Sequence, residues 1–301
     1  MTLQQLKYIV TVAECGSINE AAKQLFISQP SLSNAIKEVE LEAKRTLFLR
    51  TPRGMQLTEE GMEFLGYARQ VLQQMDMLEG KYLNEQNGKQ RFSVSTQHYT
   101  FAANAFVELV KQFGGEVYDF TLHEGTTHDI IESVKNLRSD LGIIYLSYAN
   151  ETVIRKLLSD NDLIFKHLFT AKPHVFLFKN HPLASKDIVT LDELDNYPYI
   201  TYNQGIYNSF YYSEEILSTR TVAKQIRVSD RAAVVNFIIG LNAYTISSGV
   251  FPAYLHGSDI IAVQLDVDEK IEVGTIMHKD IILNELGHIY LAALEKYAEN
   301  I

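Results

Sequence analysis

Two closely spaced helix starts near the N-terminus constrain the fold more than any other feature of the sequence. Gly16 ends a first segment of helical apolar periodicity, and Ser17 followed by Glu20 is a capping-box pattern that begins a second helix. Ser28 then precedes Pro30, which the first turn of a helix accommodates because an N–H would lack a partner there anyway. The spacing predicts three short helices, with a three-residue turn between the second and the third.

The third predicted helix has an unusual outer face. Leu32, Ile36 and Val39 share one side and predict its buried stripe. The other side carries short hydrogen-bonding groups and one lysine, namely Gln29, Ser31, Ser33, Asn34 and Lys37. Two helices joined by a tight turn, with such a face on the second, are typical of the helix-turn-helix that inserts into the major groove. We therefore expect double-stranded DNA as a partner.

The charge distribution divides the chain into modules. The formal net charge of −10 argues, taken alone, against binding to phosphates. However, residues 1–57 carry seven Lys and Arg against five Glu, whereas residues 91–301 carry 17 basic against 26 acidic side chains. A mildly basic head on an acidic body indicates different partners for the two parts.

Residues 16–40, GSINEAAKQLFISQPSLSNAIKEVE, resemble the N-terminal signature of LysR-type transcriptional regulators, and the likeness extends over the whole chain. Residues 47–58, LFLRTPRGMQLT, are similar to the wing of that family, with a hairpin turn at residues 52–54. The resemblance implies a winged helix-turn-helix domain over residues 1–58. The expected DNA-binding residues are Gln29, Pro30, Ser31, Ser33, Asn34, Lys37 and, for the phosphates, Arg50 and Arg53.

One position departs from the family pattern. Many members carry Arg in the recognition helix where this chain has Asn34. Asn pairs bidentately with adenine, whereas Arg favours guanine or phosphate. The base preference of this chain is therefore left open by the resemblance.

A long helix is predicted after Thr58. Its apolar residues alternate steps of four and three, at Phe64, Ala68, Val71, Met75, Leu78 and Tyr82. Such a heptad seam predicts pairing with a second copy of the chain, and the resemblance implies the same for residues 59–87. The alternative is an amphipathic helix that packs on its own domain. Residues 84–90 contain no apolar side chain and predict a hinge.

From residue 91 onward, strands and helices alternate, which predicts a doubly wound α/β architecture. We predict a first unit with strands at 92–95, 117–123 and 141–146 and helices at 98–113 and 126–138. A second unit has strands at 174–179, 199–202, 221–228 and 243–247 and helices at 206–218 and 230–240. The strand 271–278 and the helix 283–297 return to the first unit.

The resemblance implies that residues 88–301 form a two-lobed effector-binding domain like that of periplasmic binding proteins. Lobe I then comprises about residues 88–165 and 268–301, and lobe II about 166–267. Ligands in such sheets lie at the carboxyl ends of strands, against helix N-termini. The candidate effector residues at those places are Ser95, Thr96, Gln97, Thr126, Thr127, Thr201, Asn203 and Ser229.

These hydroxyls and amides, without a dense Arg cluster, predict a small carboxylate or an amino-acid-like effector. Each is also an ordinary helix cap, so the prediction requires that the sites converge on one cleft. Residues 95–99, STQHY, resemble the turn of members that control sulfur amino-acid metabolism, such as methionine or cysteine supply.

An aromatic group accompanies the predicted helix 206–218, at Tyr207, Phe210, Tyr211 and Tyr212. It either lines the cleft or packs the helix against its sheet. We favour packing of the helix.

The sequence gives little support to other classes. It contains no G-x-G-x-x-G, no P-loop, no H-E-x-x-H and no G-x-S-x-G. Without these motifs we expect no enzyme activity and no cofactor. His123 and His128 are five residues apart, which is wrong for one helical face, so we expect no metal site there. A cytosolic solute-binding protein and an uncharacterised α/β enzyme are the alternatives. The first does not account for the polar face of the third helix, and the second has no catalytic constellation.

The remaining expectations concern location and assembly. The single Cys15 fits a reducing compartment, and neither a signal peptide nor an apolar run of 18 residues is present, so we expect a cytoplasmic protein without membrane contact. Paired heads should bind an interrupted inverted repeat with half-sites about one helical turn apart. The resemblance implies tetramers that bend DNA in response to the effector, with RNA polymerase as a further candidate partner.

Overall fold

A computed structural model describes residues 1–52, 54–82, 90–113, 115, 117–207, 209–251 and 259–298. The chain forms two compact units, Met1–Lys89 and Gln90–Ile301. The elements of the first unit are α1 (Leu3–Cys15), α2 (Ile18–Gln24), α3 (Gln29–Ala43), β1 (Phe48–Thr51), β2 (Gly54–Leu57) and α4 (Glu59–Tyr82).

Side-chain caps begin the first three helices where the sequence predicts them. The Thr2, Ser17 and Ser28 hydroxyls each accept a hydrogen bond from the backbone N–H three residues later. Gly16 ends α1 in the left-handed conformation, at φ 61°. The helices then bury one shared apolar core, in which Ile9, Val12, Ala21, Leu32 and Val39 are fully inaccessible.

The antiparallel hairpin β1–β2 is fixed to the end of α1. The Met55 N–H donates to the Gly16 carbonyl at 2.8 Å. Gly54 has a φ of 119°, and a Cβ there would lie 2.4 Å from the same Gly16 oxygen. Only glycine therefore fits at this close approach. The Thr58 hydroxyl accepts from the Gly61 N–H at 2.8 Å and so caps the start of α4, as predicted.

The α-helices and strands described in the second unit are, in chain order, β3 (Gln90–Thr96), α5 (Thr100–Phe113), β4 (Tyr118–Glu124), α6 (Thr127–Lys135), β5 (Leu141–Leu146), α7 (Glu151–Asp160), β6 (Leu163–Ala171), β7 (His174–Phe178), β8 (Ile188–Val189), α8 (Leu191–Leu194), β9 (Tyr199–Tyr202), β10 (Gln225–Val228), α9 (Arg231–Leu241), β11 (Thr245–Ser247), β12 (Ile260–Leu265), β13 (Ile271–His278) and α10 (Glu285–Ala298).

Lobe I is a five-stranded sheet covered by helices on both faces. The strand order is β4-β3-β5-β13-β6, with β3 parallel to β4 and β5 and with β13 antiparallel to its neighbours. Alternate residues of β5 serve opposite cores. Ile143 and Tyr145 pack with α5 and α10, and Ile144 and Leu146 pack with α6 and α7. The strand β13 occupies the predicted residues and returns to this sheet, as predicted.

Lobe II has the four-stranded sheet β11-β7-β12-β8 and the parallel pair β10-β9. A bridge between Tyr199 and Tyr244 connects the two. The helix α9 packs through Val234 and Ile238 into a core that includes Ile200 and Val228. The carboxyl ends of β9 and β10 thus lie side by side, next to the start of α9.

The predicted helix 206–218 is wrong. Among its described residues the regular structure is a single 3-10 turn, Phe210–Tyr212. Glu214 and Glu215 turn inward and accept hydrogen bonds from the backbone N–H groups of His98 and Tyr202. A solvated helix could not direct both adjacent side chains inward. The predicted strand 221–228 is also shorter, since β10 begins at Gln225.

No helix in the described part of the chain combines the length and the apolar character needed to cross a membrane.

Candidate functional site

The outer face of α3 presents a polar surface that the other elements of the first unit leave open. The side chains of Gln29, Pro30, Ser31, Asn34 and Lys37 are exposed, and we call these five residues the reading surface. Ser31 shares a hydrogen bond of 2.7 Å with the Ser28 hydroxyl. The side chains of Gln29, Asn34 and Lys37 make no hydrogen bond or ion pair with any described residue. Their donors and acceptors are therefore open to an outside partner.

Ser33 does not belong to this surface, contrary to the sequence-based expectation. Ser33 is only 8% exposed, and its hydroxyl accepts a hydrogen bond of 3.1 Å from Nη2 of Arg50. A buried helix stripe is about 100° wide or more, so it includes the position after Leu32. Arg50 itself is exposed on β1, with one guanidinium nitrogen held by Ser33. Arg53 lies outside the described residues.

The first part of the predicted dimer seam is used within the head. Phe64 packs against the head core, and Ala68 is 2% exposed because α1 lies along this part of α4. Arg69 on α4 also pairs with Glu14 on α1 at 3.2 Å. The structure therefore corrects the expectation that Phe64 and Ala68 face a second copy.

The second part of the seam is more open. Val71 and Leu78 are 46% and 51% exposed, and Met75 is half-buried. The side chain of Tyr82 lies outside the described residues. A pairing surface on α4, if it follows the predicted heptads, starts at Val71.

In the second unit, the turn after β3 is buried and its hydrogen bonds are already made. Ser95 is inaccessible and bonds to the Ser139 hydroxyl at 2.7 Å, and the Thr96 hydroxyl donates to the Gln97 carbonyl at 2.8 Å. The Gln97 side chain donates to the Thr127 hydroxyl at 2.6 Å and accepts from the Tyr145 N–H at 3.0 Å. The hydroxyls of Ser95 and Thr96 are therefore already paired within lobe I.

Gln97 and Thr127 converge, as expected, and they continue into lobe II. The Thr127 N–H donates to Oε1 of Gln204 at 3.2 Å, and its hydroxyl donates to the Tyr212 carbonyl at 2.8 Å. Gln204 then donates through its amide nitrogen to Oε1 of Glu214 at 3.0 Å. This chain of hydrogen bonds joins the two lobes across the cleft.

The other four candidates do not join this network. Thr126 caps α6 by accepting from the Asp129 N–H at 3.2 Å. Thr201 is buried and accepts from Gln225 at 3.3 Å within lobe II. Asn203 is exposed and accepts from the Gly205 N–H at 3.1 Å, and Ser229 is exposed at the end of β10. The expected convergence is therefore limited to Gln97 and Thr127, because the other residues serve their own caps and strands.

The sequence did not single out the groups that fill the centre of the cleft. Oε2 of Glu214 accepts from the His98 N–H at 3.0 Å and lies 2.8 Å from Nδ1 of the same residue. The His98 ring stacks on Tyr202, with centroids 3.8 Å apart and the planes at 5°. Both side chains are almost inaccessible, at 6% for His98 and 5% for Glu214.

Glu215 is a second buried carboxyl group beside the first. It accepts from the Tyr202 N–H at 2.7 Å. Burial, together with the neighbouring Glu214, raises the pKa of the Glu215 carboxyl well above its ordinary value of 4.5. Glu215 therefore keeps its proton to a higher pH than a solvated glutamate.

A cavity of about 50 Å³ adjoins these groups. Its lining includes the polar side chains of His98, Glu214 and Arg231 and the apolar side chains of Phe176, Val234 and Ile238. Arg231 pairs with Glu124 at 2.8 Å. Since a water needs roughly 10–15 Å³ by this measure, the cavity has room for a few waters or one short apolar group.

The aromatic group lies across the cleft and does not pack a helix against a sheet, which overturns the favoured interpretation. The Tyr207 ring stacks on His128 of lobe I, with centroids 3.5 Å apart. Tyr212 meets the same imidazole edge to face at 5.9 Å. In the described residues, no three His, Cys, Asp or Glu side chains are placed to share a metal ion.

Two family models match the chain. One is described as bacterial regulatory helix-turn-helix protein, lysR family, and matches residues 3–62, and the other, LysR substrate binding domain, matches residues 91–246. A curated relative from Bacillus subtilis (strain 168), the uncharacterized HTH-type transcriptional regulator YvbU, is 31% identical over 214 residues. The alignment covers 70% of this chain and 69% of the relative.

Two solved structures share the fold. A full-length OxyR variant from Pseudomonas aeruginosa superposes with a TM-score of 0.67 at 18% identity, covering 98% of this chain and 94% of the other. Full-length CbnR in complex with its target DNA gives 0.57 at 17% identity, covering 99% of this chain and 100% of the other. The expected fold class, a winged helix-turn-helix head with a long helix and a two-lobed α/β body, is confirmed.

Proposed function

Since this chain belongs to the LysR family of DNA-binding transcriptional regulators, we propose that it binds an interrupted inverted repeat through the reading surface and responds to a small metabolite held between the lobes of its second unit. The observation that carries the proposal is the open chemistry of α3. Gln29 and Asn34 expose amides that match adenine in the major groove, and Lys37 supplies a cation for phosphate.

The proposal includes assembly from paired heads. One α3 fills one major groove, so two heads are needed to bind two half-sites about one helical turn apart. The exposed Val71 and Leu78 on α4 support pairing with a second copy. We propose a dimer of this kind as the unit that binds one repeat, and a tetramer of two dimers that bends the DNA between two sites. The solved complex of CbnR with its target DNA, a protein of the same fold, supports DNA binding by this chain.

The proposed effector is a small carboxylate or an amino-acid-like metabolite. The cleft supports this through donors that converge on one place, the His98 N–H and the Gln204 amide, together with an apolar cavity beside them. A role in sulfur amino-acid metabolism depends on the resemblance of residues 95–99 alone.

The proposed function places the protein in the cytoplasm, where its DNA is. It would alter transcription by changing the access of RNA polymerase to the promoter.

The other two classes account for less of the molecule. Neither a solute-binding protein nor an α/β enzyme explains why α3 exposes side-chain amides without partners next to the basic hairpin β1–β2. The relatives found are transcriptional regulators. We therefore propose a regulator without catalytic activity and no resident cofactor.

A gel-shift assay with the DNA upstream of the protein's own gene tests the proposal. At low salt we expect retardation that persists against excess random DNA when an interrupted inverted repeat is present. Asn34→Ala should weaken this specific band while leaving binding to random DNA nearly unchanged. Equal binding to every sequence by the parent protein, or no binding at all with and without candidate metabolites, would contradict the proposed function.

A further inference from the structure

The Glu214 carboxylate is held in the cleft in the way that a protein holds a bound anion. One oxygen receives the His98 N–H at 3.0 Å and lies 2.8 Å from Nδ1 of the same residue, and the other receives the Gln204 amide at 3.0 Å. Its side chain is 5% exposed. Burial of a carboxylate is costly unless such partners replace its water. The partners come from both lobes, His98 from lobe I and Gln204 from lobe II.

The peptide that carries Glu214 bridges the same two lobes. We call residues 209–215 the latch. It belongs to lobe II, between β9 and β10, and has a single 3-10 turn as regular structure. It contacts lobe I where the Tyr212 carbonyl accepts from Thr127 at 2.8 Å. The latch is thus fixed across the cleft by a few polar contacts, of which Glu214 makes the most.

A cavity adjoins the Glu214 carboxylate. Glu214 and His98 both line it, together with apolar side chains such as Phe176, Val234 and Ile238. Its volume of about 50 Å³ suits a short aliphatic group. A ligand with a carboxylate head in the place of Glu214 would therefore put a small apolar substituent into this cavity.

We infer that Glu214 is a built-in occupant of the effector site, and that the effector is an organic monocarboxylate with a small apolar substituent which displaces it from His98 and Gln204. The inference rests on the proposed function for its regulatory meaning, because displacement frees the latch from lobe I and alters how the lobes are held. A built-in competitor lowers the apparent affinity of the effector by the fraction of molecules in which the site is free.

The test uses the full chain, with acetate and 3-methylbutanoate as probes and sodium chloride at equal ionic strength as the reference. Binding is measured by calorimetry and by the shift of Tm. We expect Glu214→Ala to bind 3-methylbutanoate at least about tenfold more tightly than the parent, with a saturable rise in Tm. 3-Methylbutanoate should bind more tightly than acetate, because only its branched chain fills the cavity.

Glu193→Ala is the matched control. Glu193 is also a lobe II carboxylate that accepts from a backbone N–H, that of Thr190 at 3.0 Å, but it caps α8 and lies outside the cavity lining. Its loss should lower stability without any gain in carboxylate binding. His98→Phe in the Glu214→Ala background keeps a ring against Tyr202 but removes Nδ1, and should lose most of the gained affinity.

Equal affinity of the parent and Glu214→Ala for both probes, or an equal gain in Glu193→Ala, would overturn the inference. If Glu214→Ala does not fold, Glu214→Gln is the second variant, because it keeps the size of the side chain. It must also bind 3-methylbutanoate more tightly than the parent, by a smaller factor, or the inference fails. A gel shift on the same samples separates the two ideas. If Glu214→Ala gains carboxylate binding but the protein binds no DNA sequence specifically, the inference about Glu214 stands and the proposed function is rejected. If the protein binds DNA specifically but Glu214→Ala gains no carboxylate binding, the proposed function stands and the inference is rejected.

Discussion

The reading surface and the cleft are built from the same kinds of side chain and differ in what remains unpaired. The side-chain amides of Gln29 and Asn34 on α3 are exposed and make no hydrogen bond within the described residues. Gln97 and Thr127 in the cleft are buried, and their side chains bond to one another and to backbone groups. The same amide can thus serve recognition or cohesion. What decides is whether the fold has already used its donors and acceptors.

The difference has a consequence for how each region acts. Open amides on α3 can bind a new partner without first breaking a bond. The cleft must exchange internal hydrogen bonds for those of a ligand, so its affinity for a ligand is the difference between two sets of contacts. A site of the second kind is suited to switching, because occupation necessarily rearranges what held the lobes.

Of the substitutions that test this difference between the two regions, Gln97→Ala is expected to have the largest effect on stability. Removal of the amide leaves the buried Tyr145 N–H without its partner and the Thr127 hydroxyl without its donor. An unsatisfied buried polar group costs about 1–3 kcal/mol, so we expect a loss of about 2–4 kcal/mol in the free energy of unfolding of the second unit. Urea denaturation followed by circular dichroism measures it.

Gln29→Ala is the matched control for Gln97→Ala, since it makes the same change on the reading surface. Its effect on unfolding should stay within about 0.5 kcal/mol, because its amide is solvated. A comparable loss of stability in the two variants would mean that the contrast between used and open amides is wrong.

The sequence predicted the local features of the head well. The caps at Ser17 and Ser28 act within four residues, so their chemistry can be read from the neighbours. The return of β13 to the first sheet was also predicted, since its apolar run follows the two lobes in order. Such elements are specified by short-range pattern and by connectivity.

The inward turn of Glu214 could not be read in the same way. Adjacent glutamates usually indicate a solvated surface, and the alternation of strands and helices predicted a helix at residues 206–218. The side chain is buried because His98, more than one hundred residues away, supplies its partners.

The next largest effect is expected on the reading surface, from Asn34→Ala, and it concerns DNA binding rather than stability. Asn34→Ala should weaken binding to the specific repeat by about 1–3 kcal/mol, which is roughly 5- to 150-fold, because a bidentate contact with a base is lost. The free energy of unfolding should change by less than about 0.5 kcal/mol. Fluorescence anisotropy with specific and random duplexes measures the ratio of affinities. An unchanged ratio would exclude Asn34 from base reading.

A smaller effect is expected from the adjacent residue. Ser33→Ala removes the acceptor for Arg50, whose guanidinium is exposed and can be solvated again. We expect a loss of about 1 kcal/mol in unfolding free energy and no change in the ratio of specific to random binding. A drop in that ratio as large as that of Asn34→Ala would show that Ser33 reaches a base despite its burial.

The smallest effect at neutral pH is expected from Glu215→Gln, since a buried carboxyl that keeps its proton resembles the amide that replaces it. Because the pKa of Glu215 is raised in the folded state, the folded protein binds this proton more tightly than the unfolded chain does. The resulting stability is fully present below the ordinary value of 4.5 and is lost as the pH rises toward the raised pKa. The parent should therefore lose unfolding free energy across that window, and Glu215→Gln should lose less. Urea midpoints at a series of pH values measure the slope, and parallel slopes in the two proteins would show that Glu215 is ionised in the fold.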